Sequence, residues 1–241
     1  MIEFFDVCKA FGPGKTAADH ITLTVNDGEI FGFLGPNGAG KTTAINMMTG
    51  ILAPDSGRIA VNGVDIVRNP VEAKRQFGYV PDSPDRLLRL TGMEYLTFMA
   101  DVYDVPTGPR SFRIDALSRE FGIHDALGDE MQSYSHGMRQ KAMIIGALLH
   151  DPAVWILDEP MTGLDPKSSY TLKQRMRQHA RAGKTVFFST HVLEVAQNLC
   201  DRVAILDHGR ILFCGGLEEL RNEHKGDSSL EKIFLEMTDH A

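Results

Sequence analysis

Short runs of consecutive apolar residues alternate with stretches of helical periodicity along most of this chain. Glu29–Leu34 is one such run, broken by Gly35, and Val154–Leu157 is a second, ending in Asp158-Glu159. Thr185–Ser189 and Val203–Leu206 are a third and a fourth. Runs this short, apolar on both sides of the pleat and rich in β-branched residues, predict buried parallel strands. Helical patterns lie between them. Thr42–Gly50 follows the first run, and Asp165-Pro166 opens another helix with an acidic N-cap and Pro at the first position, closing near Gly183. Val192, Val195, Ala196 and Leu199 then fall at i, i+3, i+4 and i+7, one helical face. Strands alternating with helices imply an α/β fold with a mainly parallel sheet.

Two segments break the alternation. Residues 1–30 carry period-two stretches (Ile21, Leu23, Val25), which predict antiparallel, half-exposed strands. Residues 91–150 read as helical throughout. Thr91-Gly92-Met93-Glu94 fits a capping box; Leu96, Met99, Ala100 and Tyr103 follow on one face before Pro106, and Ile114, Leu117 and Phe121 repeat the pattern up to Gly122. The chain therefore reads as one domain over 1–241. A β subdomain plus core spans 1–90 and 151–222, a helical insertion 91–150 and a helical tail 223–241. In that tail Leu230, Ile233, Phe234 and Met237 share a face, with Ser228 and Glu231 as a capping box, and the stripe reads as docking on its own domain.

Composition narrows the function classes. At 241 residues the chain buries a core without disulfides or structural metals. A net charge of −7 leaves no footprint for a nucleic-acid backbone. No apolar run approaches the ~20 residues of a membrane span, and the N-terminus carries acids where a signal peptide carries Lys or Arg. Cys8, Cys200 and Cys214 are far apart, without a CxxC pair. These features predict a soluble cytosolic protein.

The strongest chemical signal is Gly35-Pro36-Asn37-Gly38-Ala39-Gly40-Lys41-Thr42, followed by Thr43, between a predicted strand and a predicted helix. It fits G-x-x-x-x-G-K-[ST], the P-loop pattern. Its glycines let successive backbone N–H groups converge on a polyphosphate at the positive end of the next helix. Lys41 adds charge for the β- and γ-phosphates, and the Thr42 hydroxyl suits Mg²⁺. Asp158 and Glu159 end an apolar strand and so project from the carboxyl edge of the sheet, where ligands bind in open α/β folds. There Asp158 can hold Mg²⁺ through water and Glu159 can act as general base on an attacking water. Ser135-His136-Gly137-Met138-Arg139-Gln140 opens a helix, and by itself reads more simply as an N-cap than as an anion site.

Taken together and in this order, these motifs resemble the ATP-binding subunit of an ABC transporter over nearly the whole chain. The resemblance implies a P-loop NTPase fold, a RecA-like core with an N-terminal antiparallel β subdomain and an inserted helical subdomain. It implies ATP and Mg²⁺ as cofactors. Gly163-Leu164-Asp165 matches the family's D-loop, and Phe11 the aromatic that stacks on adenine. Two subunits, read as identical copies arranged head to tail, would sandwich ATP between the P-loop of one and Ser135 and Gly137 of the other. Glu159 and His191 would be catalytic, His191 touching the γ-phosphate. Transmembrane permease subunits would be the partners, and the cytoplasmic face of the membrane the location.

Two departures from the family pattern are visible. Tyr134, His136 and Met138 replace three residues of the usual Leu-Ser-Gly-Gly-Gln signature, while the Ser135–Gly137 spacing survives. Asp82 follows Val80-Pro81 where the family places Gln; it reads equally as a group acting on Mg²⁺ or transporter coupling and as part of a Pro-Asp-Ser-Pro turn. The signature variant, with Leu230–Leu235, is similar to a branch of bacterial exporter ATPases. A soluble ABC ATPase acting on ribosomes or DNA is disfavoured by the single P-loop and the acidic balance, and an importer ATPase by the short segment after the Val203–Cys214 hairpin.

Overall fold

A computed structural model describes residues 1–12, 14–85, 87–223 and 230–239. In chain order the strands and helices begin with β1 (Ile2–Ala10), β2 (Thr16–Val25), β3 (Ile30–Leu34), α1 (Lys41–Met48), β4 (Ser56–Val61), β5 (Val64–Asp65), α2 (Pro70–Arg75) and β6 (Phe77–Val80). Helices α3 (Gly92–Val102), α4 (Thr107–Glu120) and α5 (His136–Leu148) follow. Then come β7 (Val154–Leu157), α6 (Pro166–Arg181), β8 (Thr185–Thr190), α7 (Leu193–Leu199), β9 (Arg202–Asp207), β10 (Arg210–Gly215), α8 (Leu217–Glu223) and α9 (Leu230–Asp239).

The strands form two sheets. The larger has the order β10-β9-β3-β8-β7-β6, parallel throughout except for β10, which pairs antiparallel with β9. The smaller, β2-β1-β4-β5, is antiparallel. Its second half, β4 and β5, comes from beyond α1 and not from the first 30 residues, and these strands and β6 were not anticipated from the chain pattern. Short, with Gly57, Gly63 and Gly78 in or beside them, they carry little periodicity of their own.

Burial on both faces of the parallel sheet explains the continuous apolar runs. Phe31, Phe33, Ile156 and Phe187 face one core shared with α1 and the antiparallel sheet. The alternate residues Ile30, Trp155, Leu157, Val186 and Phe188 face a second core shared with α3, α4, α5 and α6. The antiparallel strand β2 alternates as its pattern predicts, Ile21, Leu23 and Val25 buried and their neighbours Thr22 and Thr24 exposed. Thr91 caps α3 in a full capping box with Glu94, and Asp165 caps α6, accepting the Ser168 N–H. Val192, expected on the apolar face of α7, instead stands exposed at its N-cap, while Ala196 and Leu199 are buried.

The tail helix α9 lies against the main domain. Leu230 and Ile233 are buried with Leu34, Val203 and Ile205, and Phe234 and Met237 pack beside them. The expected cap residue Ser228 lies outside the described residues. No helix among the described residues is long and apolar enough to cross a membrane.

Candidate functional site

The order of the parallel sheet gathers the motifs at one edge. Because β8 lies between β3 and β7, Leu34 stands opposite Thr190 and Leu157 opposite Phe188. Gly35, Asp158 and His191 therefore leave the sheet at the same, carboxyl end. On the far side of β7, Val80 pairs with Leu157, and the Asp158 N–H donates to the Val80 carbonyl at 2.9 Å. That pairing brings Pro81-Asp82 to the same edge.

The loop from Gly35 wraps into α1 without any side-chain cap, so the first N–H groups of that helix are left for another acceptor. Gly40 makes this turn possible. Its φ is +108°, and a Cβ there would stand 2.2 Å from the Ala17 carbonyl oxygen, so both backbone conformation and close approach exclude a side chain. Lys41 is only 6% exposed; its Nζ donates to the carbonyls of Gly35 at 2.7 Å and Pro36 at 3.1 Å and lies 3.6 Å from Glu159 Oε1.

Glu159 connects the cluster. Its backbone N–H donates to Ser189 Oγ at 2.9 Å, and Oε2 lies 3.0 Å from Nδ1 of the half-exposed His191. A Lys41–Glu159–His191 chain thus runs along the edge of the sheet. Asp158 is fully buried and accepts from Ser189 Oγ through Oδ1 at 2.5 Å, while its Oδ2 has no hydrogen-bond partner. Burial raises its pKa above the ordinary carboxylate value; the hydroxyls of Ser189 and Thr42 pull it down, and the nearby charges of Asp82 and Glu159 push it up again. A buried carboxylate oxygen without a donor, beside a threonine hydroxyl and two further acids, is a donor set that fits Mg²⁺, a hard cation served by oxygen ligands.

A cleft of about 350 Å³ opens beside this edge, lined in part by Phe11, Asn37, Gly38, Gly40, Lys41, Thr42, Thr43, Asp82 and Glu159. Phe11 is 54% exposed, with the Lys9 ammonium 6.0 Å from its ring centre. Lys15, Thr16 and Ala17, also in the lining, were not anticipated; they lie at the turn end of the β1–β2 hairpin, which carries Phe11 over the P-loop. Nor was Ser189, whose hydroxyl serves both Asp158 and Glu159. Its position two residues before His191, on the strand between the two motif strands, is the signal that finds it.

Ser135, Gly137 and Asp165 are not among the residues lining this cleft. Ser135 caps α5, accepting the Met138 N–H at 3.3 Å, and is exposed. The His136 ring packs on Gly163, and Lys141 of α5 reaches Asp165 at 3.2 Å. The start of α5 and the segment before α6 therefore form one unit apart from the P-loop of the same chain. Asp165 has its pKa held below the ordinary value by the Ser168 hydroxyl and N–H, and further by Lys141.

A family model described as ABC transporter matches residues 18–162. The ABC transporter ATP-binding protein NatA of Bacillus subtilis (strain 168) is 37% identical over 239 residues, 98% of this chain and 97% of that protein. The Nod factor export ATP-binding protein I of Mesorhizobium japonicum is 34% identical over 230 residues, 95% of this chain and 66% of the relative. A solved structure described as the ATP binding subunit of an ABC transporter superposes with a TM-score of 0.92 at 33% identity, covering 98% of this chain and 99% of the other.

Proposed function

Because the chain belongs to the ABC transporter ATP-binding family, whose members bind and hydrolyse ATP, we propose that its ATP is held between two copies and that turnover drives a membrane partner. The observation that carries this reading is the separation of the two half-sites. The P-loop cleft holds Lys41 and Glu159, whereas Ser135 and Gly137 sit at an exposed helix start outside it. A second copy turned head to tail brings its Ser135 and Gly137 to the nucleotide, with the N-terminus of α5 offering N–H groups to phosphate oxygens. Gly35, Pro36, Asn37, Gly38, Ala39, Gly40, Lys41, Thr42 and Thr43 bind the phosphates, and Phe11 stacks on the base.

The chemistry follows from the acids. Glu159 is held by Lys41 on one oxygen and by His191 on the other, and takes the proton of the attacking water as general base. His191 positions that carboxylate and contacts the γ-phosphate. Thr42, Asp158 and Asp82 would hold Mg²⁺, which supplies charge neutralisation to the phosphate oxygens. Loss of the γ-phosphate removes the bridge between copies and lets them part; Asp165 stands beside that seam.

The partner we assign is a transmembrane permease, with this chain at the cytoplasmic face of the membrane. The direction we assign is export, supported by the name of the Mesorhizobium relative and by the signature variant. The test is Glu159→Gln in the full chain. It should slow hydrolysis by at least about a hundredfold, the scale of a lost general base, and accumulate an ATP-bound dimer in size-exclusion chromatography. A variant that stays monomeric at saturating ATP refutes the shared site.

A further inference from the structure

A second group of ligating side chains lies outside the nucleotide cleft, on the antiparallel sheet. Between the pairs Val7–Ile21 and Lys9–Ala18, β1 has one residue, Cys8, where β2 has two, Asp19 and His20. This is a β-bulge, a feature that re-aims side chains. It gathers the Cys8 thiol, an Asp19 carboxylate oxygen and a His20 ring nitrogen within 4.8 Å of one another. His20 stands at φ +54° in the bulge, and Asp6, whose carboxylate meets its ring, at φ +50°. Neither is glycine, so both hold a backbone conformation that side chains disfavour.

Each of the three ligand atoms also has a partner that orients it. Asp6 Oδ1 lies 2.6 Å from His20 Nδ1, which fixes the ring and leaves the Nε2 lone pair to meet a metal. Arg210 Nε donates to Asp19 Oδ2 at 2.6 Å, and Asp19 Oδ1 then lies 3.8 Å from His20 Nε2. That gap is too wide for a hydrogen bond. The His20 N–H donates to Cys8 Sγ at 3.4 Å, a contact that favours the thiolate, and the cysteine is in no disulfide. Around a tetrahedral ion with a metal–sulfur bond of about 2.3 Å and metal–nitrogen and metal–oxygen bonds of about 2.0–2.2 Å, ligand atoms stand about 3.3–3.6 Å apart. Side-chain movement of about 1 Å therefore closes the trio. The Asp19 and His20 side chains, 25% and 70% exposed, have room for it.

We propose that Cys8, Asp19 and His20 bind a transition-metal ion of the Zn²⁺ kind, with water in the fourth position. Thiolate and imidazole beside one carboxylate select such an ion over Mg²⁺ and Ca²⁺, which take oxygen ligands. Arg210 opposes it, but the thiolate and the carboxylates of Asp6 and Asp19 outnumber that charge. Cysteine spacing gives no hint of the site, because its ligands come from two strands. Its place has a consequence. Cys8 stands three residues before Phe11, and the Asp19 N–H donates to the Gly209 carbonyl at 2.8 Å. A bound ion ties β1 to β2 below the turn that carries Phe11 and, through Arg210, to β10.

The test uses the full chain, reduced and without nucleotide, with Co²⁺ as the probe and excess Mg²⁺ present to fill sites made of oxygen alone. A Co²⁺–thiolate bond gives a near-ultraviolet charge-transfer absorption that oxygen ligands do not. In wild type this band should grow to saturation at one Co²⁺ per chain, and Zn²⁺ should abolish it. Cys8→Ser should remove the band, while Cys214→Ser, at the exposed thiol of β10, should leave it intact. His20→Asn and Asp6→Asn, at exposed positions where Asn tolerates positive φ, should fold normally. Each should weaken Co²⁺ binding by at least about tenfold, the scale of losing a ligand or the group that orients it. Absence of the band in wild type overturns the inference, as does a band that survives Cys8→Ser or an unchanged affinity in His20→Asn. None of these outcomes touches the shared nucleotide site, which Glu159→Gln tests separately.

Discussion

Gly163 stands at φ +75° directly against His136, one of the three residues by which the signature segment departs from its family pattern. A Cβ on Gly163 would lie 2.2 Å from His136 Cδ2 and 2.9 Å from Nε2. Gly163→Ala therefore carries two separable costs. Left-handed backbone for a residue with a Cβ costs about 1–2 kcal/mol. The overlap, well inside a normal carbon contact of about 3.5 Å, forces the ring or the start of α5 to move, at about 1–3 kcal/mol. Only the second cost depends on the imidazole. In a double-mutant cycle Gly163→Ala should destabilise wild type by about 2–5 kcal/mol and the His136→Ala background by about 1–2 kcal/mol, a coupling of about 1–3 kcal/mol. Equilibrium urea denaturation reads this directly, because Trp155 is the chain's single tryptophan and is fully buried. Turnover should follow the same cycle: displacing the ring shifts Ser135, so activity lost in Gly163→Ala should partly return in the double variant. Equal destabilisation in both backgrounds would refute the contact and the link it makes between Ser135 and Asp165.

Two further outcomes follow from buried side chains. His150 and His179 have pKa values pushed down to about 4, chiefly by burial, from an ordinary 6.5. Between those values the unfolded chain binds protons that the folded chain refuses, so stability must fall as pH drops from 6.5 towards 4 and level off below. The loss from pH 7 to pH 5 should be about 1–2 kcal/mol for each; urea midpoints at the two pH values measure it, and replacing both with Gln should flatten the difference, an unchanged loss sinking the argument. Ile233, buried where α9 meets Leu34 and Ile205, should cost about 2–5 kcal/mol when cut to Ala. Ending the chain after Asn222 should correspondingly lower the folded yield, and a truncated chain of full stability would show that α9 docks elsewhere.

What could be read from the chain, and what could not, divides along a physical line. Val154–Leu157 was legible as a strand to the residue, because burial on both faces leaves an uninterrupted apolar run, and Asp165 and Thr91 were legible as caps because a cap is local. That the P-loop, Asp158, Glu159 and His191 stand at one edge of the sheet was legible for the same reason: each sits at the end of its own element. Pairing across the sheet is not local. Nothing within Ser56–Asp65 says that it joins β1, and nothing around Asp82 separates a turn from a site. It is β6 lying beside β7 that places Asp82 in the cleft lining with Glu159. Ser189 belongs to the same class: its hydroxyl serves two acids because β8 runs next to the strand that bears them. The His136–Gly163 contact is a further step removed, since it joins a helix start to a loop with β7 between them in sequence. Motif residues are thus set by local sequence, while the groups that hold those residues in position come from neighbours chosen by the fold. The half-site proposed at Ser135 continues this series one level up, since the partner assigned to it lies on another copy of the chain.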